Sequence, residues 1–517
     1  MKWIMRRWET RPLLFIMAAA MLLRLISVIW ARGFGMHDDH FLVIEAAQSW
    51  VDGSDYNNWL PDPEGQNQPQ GHSFFYVGLH YFLLKFLTWT GMIDPASKML
   101  IVRLLHAFLS LATIWFGYRM VRMLAGKPLA RLAGILLAFY WFQPWLSVRN
   151  LVEVACIPFL IGGTYYAMLA GQKERSIPWF LLAGLMLGLA FNIRYQTMLF
   201  SGGLILALWI ERRWWGGLLT GSSLLLTAAL IQGIPDYLIW GQPFAEFAEY
   251  VRYNMAHSGD YISGPWYMYL LLITGILIPP MSIFLIAGYI RGWRKHLIMF
   301  LPALIFLIFH SIFPNKQERF ILPIIPFLIA GGVAGWALMG DLWRERFTGT
   351  RWRAVWVFFW ALNMVLLIPV SAMYSKRARV ESMRYLSVYP DIRTIIVDER
   401  PRYGIKYPPE FYLGQWISVI ERPKEVSLED LKTRLSHFEM EDHPRFVLFM
   451  DEQDLVDRVR EMQTLIPELV FEQRIRPGRI DALLHYLNPN NANESVFIYR
   501  NSRFYPSSLA EDEAEPL

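Results

Sequence analysis

The sequence predicts an all-α polytopic membrane protein of about eleven transmembrane helices plus interfacial helices, ending in a small extracytoplasmic α/β domain. Three observations predict it. Of the 517 residues, 54% are hydrophobic and 18% charged, more apolar surface than one soluble core can hide. The apolar residues gather in runs long enough to cross roughly 30 Å of hydrocarbon, with short basic clusters between them. From about residue 375 the composition changes to that of ordinary soluble sequence.

The charge pattern narrows the class further. The formal net charge is +5, yet Lys and Arg sit in small groups between apolar runs, which is a topology signal rather than a polyanion-binding face. No nucleic-acid partner is expected. Cys156 is the one cysteine, so neither an intrachain disulfide nor a Cys-based metal site is available. There is no internal repeat and no glycine-rich phosphate loop.

Short cytoplasmic loops are enriched in Lys and Arg, which orders the chain across the bilayer. Lys2, Arg6, Arg7 and Arg11 put the start of the chain inside. The first helix, 13–30, is longer than a signal-peptide core and is followed by no small-residue cleavage site, so it is expected to stay as an anchor. The loop after it lies outside. If 73–90 crossed the membrane, Arg119, Arg122, Lys127 and Arg131 would fall outside; read as an interfacial helix, it puts every later basic cluster inside. The remaining spans are then 101–120, 130–147, 153–171, 177–196, 198–211, 215–235, 266–290, 297–313, 320–340 and 353–373. The clusters 173–175, 211–213, 291–296 and 344–353 fall inside, and 148–153, 236–265 and 314–319 fall outside.

Beyond the last span, 394–397, 446–449 and 496–499 read as buried strands and 454–465 as an amphipathic helix. The tail 511–517 is acidic and expected to be disordered. The expected organisation is a transmembrane domain over 1–374, with an outer loop at 31–100, and an extracytoplasmic domain over 375–517.

Three outer segments carry groups that could do chemistry. His37-Asp38-Asp39-His40 places two carboxylates between two imidazoles at the mouth of a membrane helix, where partial desolvation raises a carboxyl pKa and makes a better general base. The alternatives are a solvated turn and, less favoured, a divalent metal site. Lys316, Glu318 and Arg319 stand at the outer end of a helix pair, where cations suit a phosphate, although snorkelling towards lipid headgroups explains them equally. Arg24, Arg149 and Arg194 add to the outer cations, with Asn150, Glu153, Asn192 and Gln196 for company. The stretch 236–269 is rich in Tyr and Trp and holds Asn254 and His257. Aromatic rings there could stack on sugars or form an interfacial belt.

Taken in order, these segments resemble the GT-C membrane glycosyltransferases, and within them the lipid-phosphate-mannose-dependent mannosyltransferases of glycosyltransferase family 22. His37-Asp38-Asp39-His40 with Glu45 is similar to the family's first-loop H-P-D-E pattern and its following glutamate, with Asp38 at the proline position and His40 in place of the glutamate. Arg149-Asn150-Leu151-Val152-Glu153 resembles the second outer loop, which ends in N-S-x-E, without the serine. Asp236-Tyr237 with Trp240-Gly241, Tyr253-Asn254 and Pro265-Trp266-Tyr267-Met268-Tyr269-Leu270 follows the family's D-x-x-x-x-G, Y-N and P-W-Y-x-Y-L order. Lys316-Gln317-Glu318-Arg319-Phe320 with Pro323 and Pro326 resembles H-K-E-x-R-F-x-x-P-x-x-P, with Asn315 in place of the histidine.

The resemblance implies an integral membrane glycosyltransferase, a mannosyltransferase by preference, that takes its sugar from a polyprenyl-phosphate donor and passes it with inversion to a lipid-linked or periplasmic glycan. It implies Asp39 as the catalytic base. His37, Asp38, Glu45, Arg149, Glu153, Tyr253, Asn254, His257, Lys316, Glu318 and Arg319 would bind substrate, with no cofactor. Short inner loops and the lack of an endoplasmic-reticulum retention signal favour a bacterial inner membrane, with the site on the periplasmic face. The rival readings are a flippase or transporter of polyprenyl-linked glycans, a membrane anchor for residues 376–517, and a GT-C enzyme using another polyprenyl-phosphate sugar.

Overall fold

Apolar runs of this length must satisfy their backbone polar groups internally when no water is at hand, and helices do so. In the computed structural model, which describes residues 8–62, 65, 67–260, 263–339, 349–400, 407–488 and 493–509, each of the eleven expected spans is largely helical. Among the described residues, six helices are long and apolar enough to cross a membrane: Pro12–Trp30, Pro95–Phe139, Val152–Ala170, Trp214–Trp240, Glu318–Trp336 and Thr350–Ser371. Pro95–Phe139 holds the expected span 101–120 and the first part of 130–147, parted by Gly126 at a non-helical φ of 79°. Ile177–Ile193, Thr197–Ile210 and Leu297–Ile312 are shorter apolar helices. The stretch 73–90 contains the 16-residue helix Phe74–Trp89. The basic residues Lys2, Arg6 and Arg7, residues 344–348 of the cluster 344–353 and the tail 511–517 lie outside the described residues.

One expected span is sharply broken. Residues 266–290 do not form a single rod: Met268–Ile276 and Met281–Arg291 meet at a 117° bend. The cause is local. Pro279 and Pro280 have no N–H to donate, and Ile278 sits at a φ of +56°. The carbonyls freed by the break are taken up from another segment, by the Tyr140 hydroxyl on Leu277 O and the Trp141 Nε1–H on Ile276 O, each at 2.9 Å.

The chain divides into two compact units. The first comprises Met1–Ile29, Asp55–Leu83 and Leu100–Ala372. Its helices approach closely where side chains are absent. A Cβ on Gly335 would lie 1.8 Å from Gly288 O, and one on Gly184 would lie 2.3 Å from Thr220 O. Small residues at helix crossings are the usual means of tight packing when apolar burial alone does not drive association. Residues 325–335 are buried all round, which makes this helix the centre of the unit.

The second unit comprises Trp30–Ser54, Leu84–Met99 and Met373–Leu517. Its sheet runs β2-β1-β3-β5-β4. These are β1 (Thr394–Asp398), β2 (Ser418–Arg422), β3 (Phe446–Met450), β4 (Leu469–Ile475) and β5 (Val496–Asn501). β1 pairs in parallel with β2 and β3, while β5 is antiparallel to β3 and β4. All five residues of β1 and of β3 are buried. Leu428–Ser436 starts with a complete capping box between Ser427 and Asp430. Together with Leu455–Gln463 it packs Leu431, Leu435, Val459 and Met462 against Ile396, Val447 and Phe449.

The N-terminal piece of this unit is fastened to it by backbone. Gly33 and Ser375 form a parallel bridge, with Ser375 N–H donating to Arg32 O at 3.2 Å. Gly33 has a φ of +72°, and a Cβ there would lie 1.8 Å from Ser375 O. Only glycine fits this position.

Candidate functional site

The acidic motif belongs to the second unit. His37–Asp39 forms one helical turn and His40–Glu45 a π-helix, which then gives way to Ala46–Val51. The wider π turn brings residues five apart onto one face, and such turns often occur at functional sites. Here it sets His40 Nε2 3.3 Å from Glu45 Oε1. Asp39 is 2% exposed, and His40 and Glu45 are fully buried, whereas Asp38 is half-buried and His37 exposed.

The surroundings of His40 and Glu45 come from residues far away in sequence. Phe411 N–H donates to Glu45 Oε1 at 3.0 Å. The His40 ring stacks on Phe34 and Tyr412, with centroids 4.9 and 5.3 Å away. Burial, reinforced by the Arg379 cation, holds the His40 imidazole down to about pKa 3, so the ring is neutral near neutral pH. Glu410 lies next to the residue that holds Glu45. Burial first and the charge of Glu45 second push its carboxyl up to about 8. His37 stacks on Phe41 at 4.4 Å. Among the described residues, no three His, Cys, Asp or Glu side chains converge in a way that could hold a metal ion.

The cations expected on the outer face belong to the first unit. Glu153 is fully buried, and its Oε1 receives two guanidiniums, Arg194 Nη1 at 3.1 Å and Arg319 Nε at 3.4 Å. Two neighbouring amides hold these arginines in place: Arg194 donates to Gln196 Oε1 at 2.7 Å and Arg319 to Gln317 Oε1 at 2.8 Å. Both also lie against the Phe320 ring. Two cations on one carboxylate leave one positive charge over. Arg149, on the segment that leads into Glu153, is 2% exposed and lies 4.5 Å over the Trp145 ring.

Lys316 behaves differently from Arg319. Its ammonium donates to His310 O and Ser311 O, each at 2.7 Å, and to Phe313 O. All three of its donors are engaged by the carbonyls that end the helix Leu297–Ile312. In this structure Lys316 thus braces that helix end. Arg24 is likewise a strut, donating to Ser110 Oγ at 2.8 Å and reaching Ala20 O and Ala138 O. Glu318 is exposed.

Asp236 and Glu246 form a separate polar centre in the same unit. Asp236 accepts from Gln232 at 2.6 Å and from Glu246 N–H at 3.1 Å. Glu246 accepts from Gly71 N–H, His72 N–H and Trp240 Nε1–H at 2.7, 3.0 and 2.9 Å. These bonds fix the loop ahead of Phe74–Trp89. Tyr253, Asn254 and His257 fall at the end of Ala245–Ala256. There His257 stacks on Tyr253 at 4.3 Å and Asn254 caps Tyr250 O. Sequence reasoning missed Gln317 and Glu246, and neutral or helix-borne groups carry no local signal that would mark them.

Residues 14–403 match the model of the Alg9-like mannosyltransferase family. The chain belongs to that family. No curated protein matches it by sequence. Among solved structures, ArnT from Cupriavidus metallidurans bound to undecaprenyl phosphate is 13% identical, with a TM-score of 0.64 over 98% of this chain and 99% of that one. The apo form of the same protein is 14% identical, with a TM-score of 0.60 over 98% and 100%. The Archaeoglobus fulgidus oligosaccharyltransferase tethered to an acceptor peptide is 11% identical, with a TM-score of 0.51 over 96% and 75%. The fold is therefore of the GT-C type, and the family member described here is an integral membrane glycosyltransferase.

Proposed function

We propose that this glycosyltransferase moves a sugar, mannose by family preference, from a polyprenyl-phosphate donor to a hydroxyl of a lipid-linked or periplasmic glycan, inverting the anomeric carbon. The observation that carries the reading is the buried pair Arg194 and Arg319 on the single carboxylate Glu153. A positive surplus fixed in a low-dielectric setting suits a phosphate whose charge grows as it leaves. The undecaprenyl phosphate bound by ArnT supports a lipid-linked donor. Family membership supports mannose.

The division of labour follows from the leaving group. The acceptor oxygen bonds to the anomeric carbon as the carbon–phosphate oxygen bond breaks, and the electron pair stays on the phosphate. A phosphate departs without an acid, so the reaction needs only one base, Asp39, to take the hydroxyl proton. Arg149, Arg194 and Arg319 stabilise the released phosphate. Glu45, Asp38 and His37 beside the base, with Tyr253, Asn254 and His257, orient the sugars. No cofactor is required. The setting is a bacterial inner membrane with the chemistry on the periplasmic face.

The test is Asp39→Asn in reconstituted protein given polyprenyl-phosphate mannose and membrane glycan acceptors, with release of polyprenyl phosphate as the readout. General-base loss should lower turnover by at least about 10²-fold while membrane insertion and melting temperature hold. Near-normal turnover would remove Asp39 from the role. Movement of labelled lipid across the bilayer without a new glycosidic bond would favour a flippase.

A further inference from the structure

The second unit contains a cavity of about 810 Å³ that the transfer reaction does not use. Its volume falls within the roughly 300–1,000 Å³ of small-molecule sites. Four arginines line it, Arg377, Arg384, Arg474 and Arg476, against two acids, Asp94 and Glu381. Both acids have other partners. Asp94 accepts from Ser97 N–H at 2.8 Å and so caps the helix that starts at Pro95. Glu381 accepts from the Tyr374 hydroxyl at 2.6 Å and pairs with Arg384 at 3.2 Å.

The arginines differ in how they are held. Arg474 pairs with Glu452 at 2.6 Å. Arg377 and Arg476 are exposed and have no ion-pair partner among the described residues. Tyr385, half-buried, offers an aromatic ring to the cavity, and the buried Tyr412 backs the wall behind it. Aromatic faces beside guanidiniums are what a sugar ring bearing an anionic group needs: a flat apolar surface for its C–H face and a fork for its oxygens. Tyr412 is also the ring on which His40 stacks, one residue from Asp39.

We propose that this cavity binds a saccharide carrying carboxylate or phosphate groups, as the anionic portion of the acceptor. The acceptor assignment rests on the glycosyltransferase reading above; the binding itself does not. The probe is a trigalacturonate, titrated calorimetrically into the full chain in phosphatidylcholine nanodiscs, with maltotriose as the neutral control and inorganic phosphate as the bare anion. Trigalacturonate should bind at least about tenfold more tightly than either control, through combined charge and ring contacts. The binding should weaken as salt rises from about 0.05 to about 0.5 M. The double substitution Arg377→Ala with Arg476→Ala should cost at least about tenfold in affinity without moving the melting temperature, because both side chains are exposed.

Absent or equal binding of the neutral sugar and the uronate, phosphate binding as tight as the trisaccharide's, or unchanged affinity in the double variant would each overturn the proposal. Asp39→Asn should leave this affinity intact. A failure of the base assignment, read in turnover, is thereby separated from a failure of the cavity assignment, read in affinity.

Discussion

Charged residues in a membrane protein divide by what their donors and acceptors already hold, and this sorts the arginines and lysines that look alike in sequence. Arg24, Arg149, Arg194, Lys316 and Arg319 all read as outer cations because each lies near the same expected depth. Asp39, Glu153 and Arg319 were legible for the same reason, as ionisable groups in a costly place. What sequence could not supply was the bonding: Arg24 is tied to Ser110 and two carbonyls, and Lys316 to three carbonyls. Lys316→Met should therefore lower the melting temperature, since it strands buried carbonyls at about 1–3 kcal/mol each. Arg319→Lys should keep the fold but lose the guanidinium geometry, lowering transfer by about 10²–10³-fold. Melting curves beside initial rates distinguish the two, and the opposite pattern would exchange their roles. Glu410 gives a pH signature. Its folded carboxyl is raised from 4.5 to about 8, so the folded state keeps a proton that the unfolded chain has already released. Its contribution to stability is full below about pH 4.5 and is lost as the pH rises through about 8. Glu410→Gln should flatten the fall in melting temperature over that window.

At the level of elements, helices were legible because long apolar runs admit few other structures, whereas interruptions in them depended on partners. The bend between Ile276 and Met281 was hinted at by Pro279-Pro280, yet it persists because Tyr140 and Trp141 receive the carbonyls it frees. In the sheet, β1, β3 and β5 declared themselves as unbroken apolar runs. β2 (Ser418–Arg422) and β4 (Leu469–Ile475) did not, because they are edge strands: their exposed, charged positions read as loop and serve to discourage edge-to-edge pairing. The π-helix His40–Glu45 has no sequence signature, because one extra residue per turn leaves composition unchanged. The bridge at Gly33 supports the sharpest prediction at this scale. Gly33→Ala places a methyl on Ser375 O and forces an L residue into left-handed backbone, which alone costs about 1–2 kcal/mol. The melting temperature should fall by more than that strain explains, and a neutral result would show that the bridge is dispensable.

Across the whole molecule, the C-terminal segment is not an autonomous tail. The change in composition near 375 is visible in sequence, but nothing local reveals that residues 30–54 pack with 373–517 in one compact unit. That union is built from long-range contacts: Phe411 N–H on Glu45, Tyr412 on His40, Trp416 Nε1–H on Asp52 at 2.9 Å, and the Gly33–Ser375 bridge. Each joins residues more than 300 positions apart, a separation at which sequence periodicity is silent. If the segment were only cargo on a membrane anchor, deleting 373–517 would leave the acidic motif as it was. The contacts require the opposite. Deletion strips Glu45 of a backbone donor and His40 of a stacking partner, so residues 37–45 should exchange amide hydrogens faster than in the full chain, because local opening no longer disrupts the unit. Transfer should be lost with them, although Asp39, Arg194 and Arg319 are all still present. Asp39→Asn should lose transfer with exchange at 37–45 unchanged. Hydrogen exchange on the deletion, the substitution and the intact protein separates a missing base from an unsupported one; exchange unaltered by the deletion would reduce residues 373–517 to an appendage.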